Sequence, residues 1–123
     1  MKGVGIDLCQ IARIEKALAQ SPAFLSRYYT PQEQGYLRGR GQMAGQSAAA
    51  MFAAKEAFLK AMGKGIGQGI ALDEISVCHG PDGAPYYQLT GAAKALMEQR
   101  GVREAFLSLS HEDGMAAAVC VLD

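Results

Sequence analysis

The stretch QSAAAMFAAKEAFLKAM, Gln46 to Met62, is the strongest helix in the chain, rich in good helix formers and free of glycine and proline until Gly63. On a wheel of 100° per residue, Ala48, Met51, Phe52, Phe58, Leu59 and Met62 fall on one arc, which reads as the core face. Lys55 lies inside that arc, Glu56 sits just beyond its edge, and Lys60 follows Glu56 by one turn on the same side. An ammonium group in the middle of an apolar face has to snorkel out or meet a buried anion, because leaving it dry and unpaired is costly. Glu56 and Lys60 read either as an exposed i,i+4 pair, worth about 0.2–0.5 kcal/mol, or as part of a cleft rim where a carboxylate and two ammonium groups converge.

Working outward from this helix, Val4 to Leu8 is a short apolar run interrupted by Asp7 and reads as a strand. Gln10 to Gln20 carries Ile11, Ile14 and Leu18 at helical spacing, and Ser21-Pro22 ends it. Thr30-Pro31-Gln32-Glu33 places a threonine cap, a first-turn proline and an acid in order, so a short helix runs through Leu37. Beyond Met62, Gly63-Lys-Gly-Ile-Gly-Gln-Gly69 is a backbone-dominated loop. Leu72 to Cys78 alternates as a strand, His79 to Gly83 turns, Pro85 to Leu89 returns, and Gly91 to Arg100 is helical. Ala105 to Ser110 and Met115 to Leu122 form two more strands around the polar turn His111-Glu-Asp-Gly114. Helices and hairpins are partly segregated, with little strand–helix–strand alternation, so the expected class is α+β: a small antiparallel sheet packed with a long central helix.

The chain has 123 residues, 50% hydrophobic and 20% charged, which fits one domain over 1–123 with a core that needs no disulfide or metal staples. Twelve basic against twelve acidic residues give a formal charge of zero, so no whole-molecule field draws it to nucleic acid or a membrane surface. An anionic ligand must be met locally. A neutral small domain also gains little charge-based protection from self-association, and an oligomer is compatible with that balance. The opening residues do not read as a signal peptide and no run approaches a membrane span. Cys9, Cys78 and Cys120 lie far apart among apolar residues and read as reduced core thiols of a cytoplasmic protein.

Asp7 is an acid in an apolar strand, placed there either as an edge or capping residue or as a cation ligand. Together with Glu56, Lys55, Lys60 and the glycine loop it supplies the ingredients of a phosphate site, in which one hard divalent ion is held by one or two acids and completed by phosphate and water. The loop itself matches no nucleotide fingerprint, and on its own it reads as a helix cap and turn. His111 lies at a strand end. Neither Ser110 nor the Gly45-Gln-Ser47 run makes a nucleophile elbow, so an acyl-hydrolase triad is unsupported. His79, among Gly and Pro, reads as a surface residue.

Gly5-Ile6-Asp7-Leu8 with Ile11 and Arg13-Ile14, then Phe52-Ala-Ala-Lys-Glu-Ala-Phe-Leu-Lys-Ala61, Gly63 to Gly67 and Ser108-Leu-Ser-His111 together resemble the short bacterial holo-[acyl-carrier-protein] synthases of the phosphopantetheinyl transferase family. The resemblance runs in order over nearly the whole chain. It implies that family's fold, and transfer of the 4'-phosphopantetheine arm from coenzyme A to a serine of an apo acyl carrier protein with release of adenosine 3',5'-bisphosphate. It also implies Mg2+ and a homotrimer with active sites between neighbouring subunits. By position, Asp7 and Glu56 are the implied Mg2+ ligands and Glu56, Lys60 and Lys55 the implied catalytic groups. Lys55, Lys60, Gly63, Gly65, Pro85 and His111 are implied on the coenzyme A, and Arg13, Lys16 and Arg27 on the carrier protein. Many members carry Arg where this chain has Met51. The implied pathway is fatty acid or polyketide synthesis, and the serine proton is expected to leave through Glu56 or a metal-bound water. Two other readings are a carrier-protein binding module without catalysis and a small acyl-CoA thioesterase; intact Asp7, Glu56, Lys55 and Lys60 favour the transferase.

Overall fold

A computed structural model describes residues 1–123. Strand β1 (Gly3–Gln10) leads into helices α1 (Ile11–Gln20), α2 (Pro22–Tyr28) and α3 (Pro31–Arg38), and a 3-10 turn then opens the long helix α4 (Ala44–Ala61). After the glycine loop come the hairpin β2 (Ile75–His79) and β3 (Pro85–Leu89), helix α5 (Gly91–Gln99), and the hairpin β4 (Ala105–Glu112) and β5 (Met115–Leu122). Two antiparallel sheets result, β1-β5-β4 and β2-β3, so the α+β expectation holds with the sheet divided in two. In the larger sheet Asp7 pairs with Ala118, which pairs in turn with Leu109.

Helix α4 lies across β1 and β5 and is covered elsewhere by α1, α3 and β2. It is buried on nearly all sides. Ala49, Ala53 and Ala57 are as inaccessible as Phe58. The single apolar arc of the wheel therefore underestimates the helix: small alanines are buried beyond it, and Ala57 and Ala61 meet the glycines of β1. A Cβ added to Gly5 would overlap the carbonyl oxygen of Ala57, so the absence of a side chain there lets the strand and helix backbones touch.

Three local expectations are corrected. Pro22 does not simply end α1 but occupies the first turn of α2, where its missing N–H costs nothing. Leu72–Glu74 form a 3-10 turn, and the strand begins only at Ile75. The ladder between β4 and β5 continues through His111 and Glu112, leaving Asp113-Gly114 as a two-residue turn with φ of 54° and 79°, the left-handed pair that a tight hairpin needs. The three cysteines are free; Cys9 and Cys120 are buried, while Cys78 is only half-buried.

The inner faces of β1 and β5 alternate regularly: Gly5, Asp7 and Cys9 on one and Ala116, Ala118, Cys120 and Leu122 on the other face α4. The outer face of the same sheet is apolar and open. Val4, Ile6, Leu8 and Phe106 are each more than half exposed. No helix is long and apolar enough to cross a membrane.

Candidate active site

Because α4 packs on β1 through small residues, its next polar positions are brought against Asp7. Lys60 Nζ donates to Asp7 Oδ1 at 2.9 Å and to the Ile6 carbonyl at 3.1 Å. The Lys60 side chain remains about half exposed, while that of Asp7 is nearly covered (54% against 9% accessible). The lysine pKa is raised, chiefly by that hydrogen bond to Asp7. Glu56 faces the same carboxylate. Its own pKa is pushed up to about 7, first by burial and then by the neighbouring Asp7 carboxylate; Lys60 and Arg13 oppose the shift.

Asp7 Oδ2 is buried and has no hydrogen-bond donor. An unpartnered carboxylate oxygen beside a second acid is costly in a polypeptide alone, unless a proton or a cation lies between the two groups. A hard divalent ion fits this donor set. Two carboxylates supply oxygen ligands and leave further positions for phosphate and water. No third Asp, Glu, His or Cys joins them.

Lys55 is not at this site. Its ammonium is fully buried and donates to Glu33 Oε1 at 2.6 Å, to the Leu72 carbonyl at 3.0 Å and to the Ile75 carbonyl at 2.8 Å. All three protons are taken by the interior, so the expectation that Lys55 acts in catalysis and on coenzyme A is corrected. The buried anion demanded by a lysine on an apolar face is Glu33. Its signal in the sequence was hidden by its second role, since Glu33 also completes the capping box of α3.

The remaining expected residues lie in other places. His111 and Gly83 share a cleft with Tyr36, Arg40, Ser47, Met51 and His79, and Pro85 pairs with His79 in the hairpin. In that cleft His79 stacks on Tyr36 at 4.2 Å, the Arg40 guanidinium lies over the Tyr36 ring at 5.4 Å, and Arg40 Nε donates to Ser47 Oγ at 3.1 Å. His79 Nδ1 is buried without a partner, and its pKa is lowered by burial and by Arg40. The surface role read for His79 is therefore corrected. Tyr36 and Arg40 went unread because only the fold joins α3 to the hairpin. Met51 is buried, and the cation of this cleft is Arg40.

This cleft shares no residue with the groove of Ile6, Asp7, Leu8 and Lys60. On α4, Ala50 and Met51 stand roughly 120–140° round the axis from Glu56, at about 100° per residue. Gly63 closes α4 in a left-handed conformation, and Gly65 N–H donates to Gln68 Oε1 in the loop that follows. Arg13 lies at the rim of the carboxylates, with a guanidinium nitrogen 3.8 Å from Cys9 Sγ, whereas Lys16 and Arg27 are exposed on α1 and α2.

In this small α+β chain, paired carboxylates and a lysine thus meet where a long helix crosses an edge strand, a donor set that suits a hard cation and phosphate oxygens. Residues 3–120 match the family model of the 4'-phosphopantetheinyl transferase superfamily. A holo-[acyl-carrier-protein] synthase of Trichlorobacter lovleyi is 43% identical over 122 residues, 98% of this chain and 96% of that protein. The crystal structure of the Neisseria meningitidis holo-[acyl-carrier-protein] synthase superposes with a TM-score of 0.90 at 31% identity, covering 100% of this chain and 98% of that one. The Helicobacter pylori holo-[acyl-carrier-protein] synthase, solved in complex with coenzyme A, does so at 0.84 with 34% identity, covering 98% and 99%. The chain belongs to the 4'-phosphopantetheinyl transferase superfamily, and its enzyme class is that of a phosphopantetheinyl transferase.

Proposed function

We propose that residues 1–123 form one transferase domain that moves the 4'-phosphopantetheine arm of coenzyme A onto a serine hydroxyl of an apo acyl carrier protein, with adenosine 3',5'-bisphosphate as the other product. The observation that carries this reading is the meeting of Asp7, Glu56 and Lys60, with one Asp7 oxygen left without a donor. Serine Oγ attacks the phosphorus that bears the pantetheine, the bond from that phosphorus to the bridging oxygen breaks, and the bridging oxygen leaves on the adenosine bisphosphate. Asp7 and Glu56 are the residues that hold Mg2+, which supplies charge neutralisation on the pyrophosphate when bound.

Lys60 is the group free to follow charge on the phosphate oxygens. Asp7 orients its ammonium while half of the side chain stays accessible. The serine proton leaves to Glu56 or to a water beside it. The cleft of Tyr36, Arg40, His79 and His111, with Pro85 at its edge, suits the nucleotide end: it offers a stacked aromatic surface and a guanidinium for the phosphate. Gly63 and Gly65 line the path beyond α4. Arg13, Lys16 and Arg27 present cations to the acidic carrier protein from α1 and α2.

The two clefts lie on different sides of α4, and the carboxylate groove is flanked by Ile6 and Leu8 of the open apolar sheet face. Packing that face against further copies, as a homotrimer, brings the groove of one subunit to the nucleotide cleft of its neighbour. The same composition and the absence of a spanning helix accord with a cytoplasmic enzyme of fatty acid or polyketide synthesis. The test is incubation of the protein with coenzyme A, Mg2+ and an apo carrier protein. A carrier heavier by the phosphopantetheine arm supports the reading; no gain on the carrier refutes it, and release of free coenzyme A when acetyl-coenzyme A is supplied in place of coenzyme A then favours a thioesterase.

A further inference from the structure

Glu33 and Lys55 are both essentially inaccessible, yet neither has a place in the chemistry above. Together they join three segments. Glu33 Oε1 accepts from Lys55 and from the Thr30 backbone N–H at 2.9 Å, and Glu33 Oε2 accepts from the Val77 N–H at 2.8 Å. Lys55 adds the carbonyls of Leu72 and Ile75, and Thr30 Oγ1 lies 2.9 Å from Ser76 Oγ. Tyr29 lies beneath the ammonium at 5.4 Å and donates from its hydroxyl to the Ala48 carbonyl. The start of α3, the approach to β2 and the middle of α4 are thereby locked to one another.

The location of the lock matters because the next residue on α4 is Glu56. The face of α4 toward β1 is alanine against glycine, which allows close approach but has few knobs to define rotation. A rotation of about 10° moves a group 5–6 Å from a helix axis by roughly 1 Å, and a misplacement of that size can cost about a hundredfold in rate. The segment held on the other side of the pair runs straight into β2 and the hairpin of His79, Gly83 and Pro85.

We propose that the Glu33–Lys55 pair is a positioning device: it fixes the rotation of α4 within the fold, and with it the placement of the Glu56 carboxylate relative to Asp7 on β1. This inference rests on the transferase reading above for its effect on rate, but not for its effect on the carboxylate pair. A merely structural pair stabilises the fold and leaves each folded molecule fully competent. A positioning pair alters the folded molecule.

The test uses Glu33→Gln, which keeps the side chain's size and one acceptor oxygen, against Met97→Ala, a core truncation in α5 that lowers stability far from the carboxylates. Both are assayed well below their melting temperatures for arm transfer and, separately, for binding of Mn2+ alone by electron paramagnetic resonance. Glu33→Gln is expected to lose 10- to 100-fold in kcat and about tenfold in Mn2+ affinity, the range typical of outer partners that orient metal ligands; Met97→Ala is expected to keep both. Should Glu33→Gln not fold, the double variant Glu33→Gln/Lys55→Gln, which buries no charge, replaces it with the same expectations. Wild-type-like Mn2+ affinity and kcat in the folded variant overturn the proposal. A wild-type protein that leaves the carrier unmodified refutes the transferase reading instead, and the Mn2+ measurement still decides the positioning role.

Discussion

Lys55 and Lys60 stand on the same helix, about one and a half turns apart, and each meets a carboxylate, yet the two regions are built on opposite terms. Around Lys55 every proton of the ammonium and both oxygens of Glu33 are used, and both side chains are inaccessible to solvent. Around Lys60 the lysine side chain is half exposed, Asp7 keeps one oxygen without a donor, and Glu56 holds its proton to about pH 7. A completed buried network is an element of the fold. An incomplete one at the rim of a groove has free valence for a ligand, and that difference separates two lysines that look alike in sequence.

The sharpest way to break this contrast is to remove one acid from each region. Asp7→Ala and Glu56→Ala are each expected to lower arm transfer by at least about 10²–10³-fold while the melting transition stays cooperative; transfer at near wild-type rates would sink the metal assignment. Glu33→Ala is expected to do the reverse to the fold, costing about 3–5 kcal/mol because it leaves Lys55 buried and unpaired. Urea unfolding reads that loss directly. Lys60→Ala is expected to reduce kcat by about a hundredfold with little change in unfolding free energy, since its side chain is half exposed.

The pair on the rim also has a pH signature. In the folded, metal-free protein Glu56 binds its proton up to about pH 7, against an ordinary carboxyl value of 4.5. Between those values the folded state holds more protons than the unfolded one, so metal-free stability falls as pH rises through that window. Divalent-ion binding displaces the proton, so affinity rises with pH and levels off above about 7. Melting scans in EDTA from pH 5 to 8 should slope downward for the wild type and flatten for Glu56→Gln. At the small-residue seam, Gly5→Ala is expected to cost at least about 1–3 kcal/mol by pushing β1 off α4, read by urea unfolding.

Much of this was legible in the sequence. The spacing of Glu56 and Lys60, the stray acid at Asp7 and the stop at Gly63 place the carboxylates on a helix and a strand that the fold then brings together. The wheel of 46–62 failed for a physical reason: it ranks positions by large apolar groups, whereas half of the buried residues of α4 are alanines, and the backbone approach of Ala57 to Gly5 is a contact only the partner strand reveals. Lys55 was read as either snorkelling out or meeting a buried anion, and the choice depended on Glu33, 22 residues away and already explained as a cap. His79 and Arg40 were illegible because the cleft they share with His111 is assembled from α3, α4 and two hairpins, with no local spacing to report it.

The central claim is that the incomplete region around Asp7 carries the chemistry, and mass spectrometry of an apo carrier protein incubated with coenzyme A tests it most directly. With the wild type and Mg2+ the carrier is expected to gain the phosphopantetheine arm, and with EDTA or with Asp7→Ala it is expected to gain nothing. Full modification of the carrier by Asp7→Ala, or by the wild type in EDTA, would contradict the account.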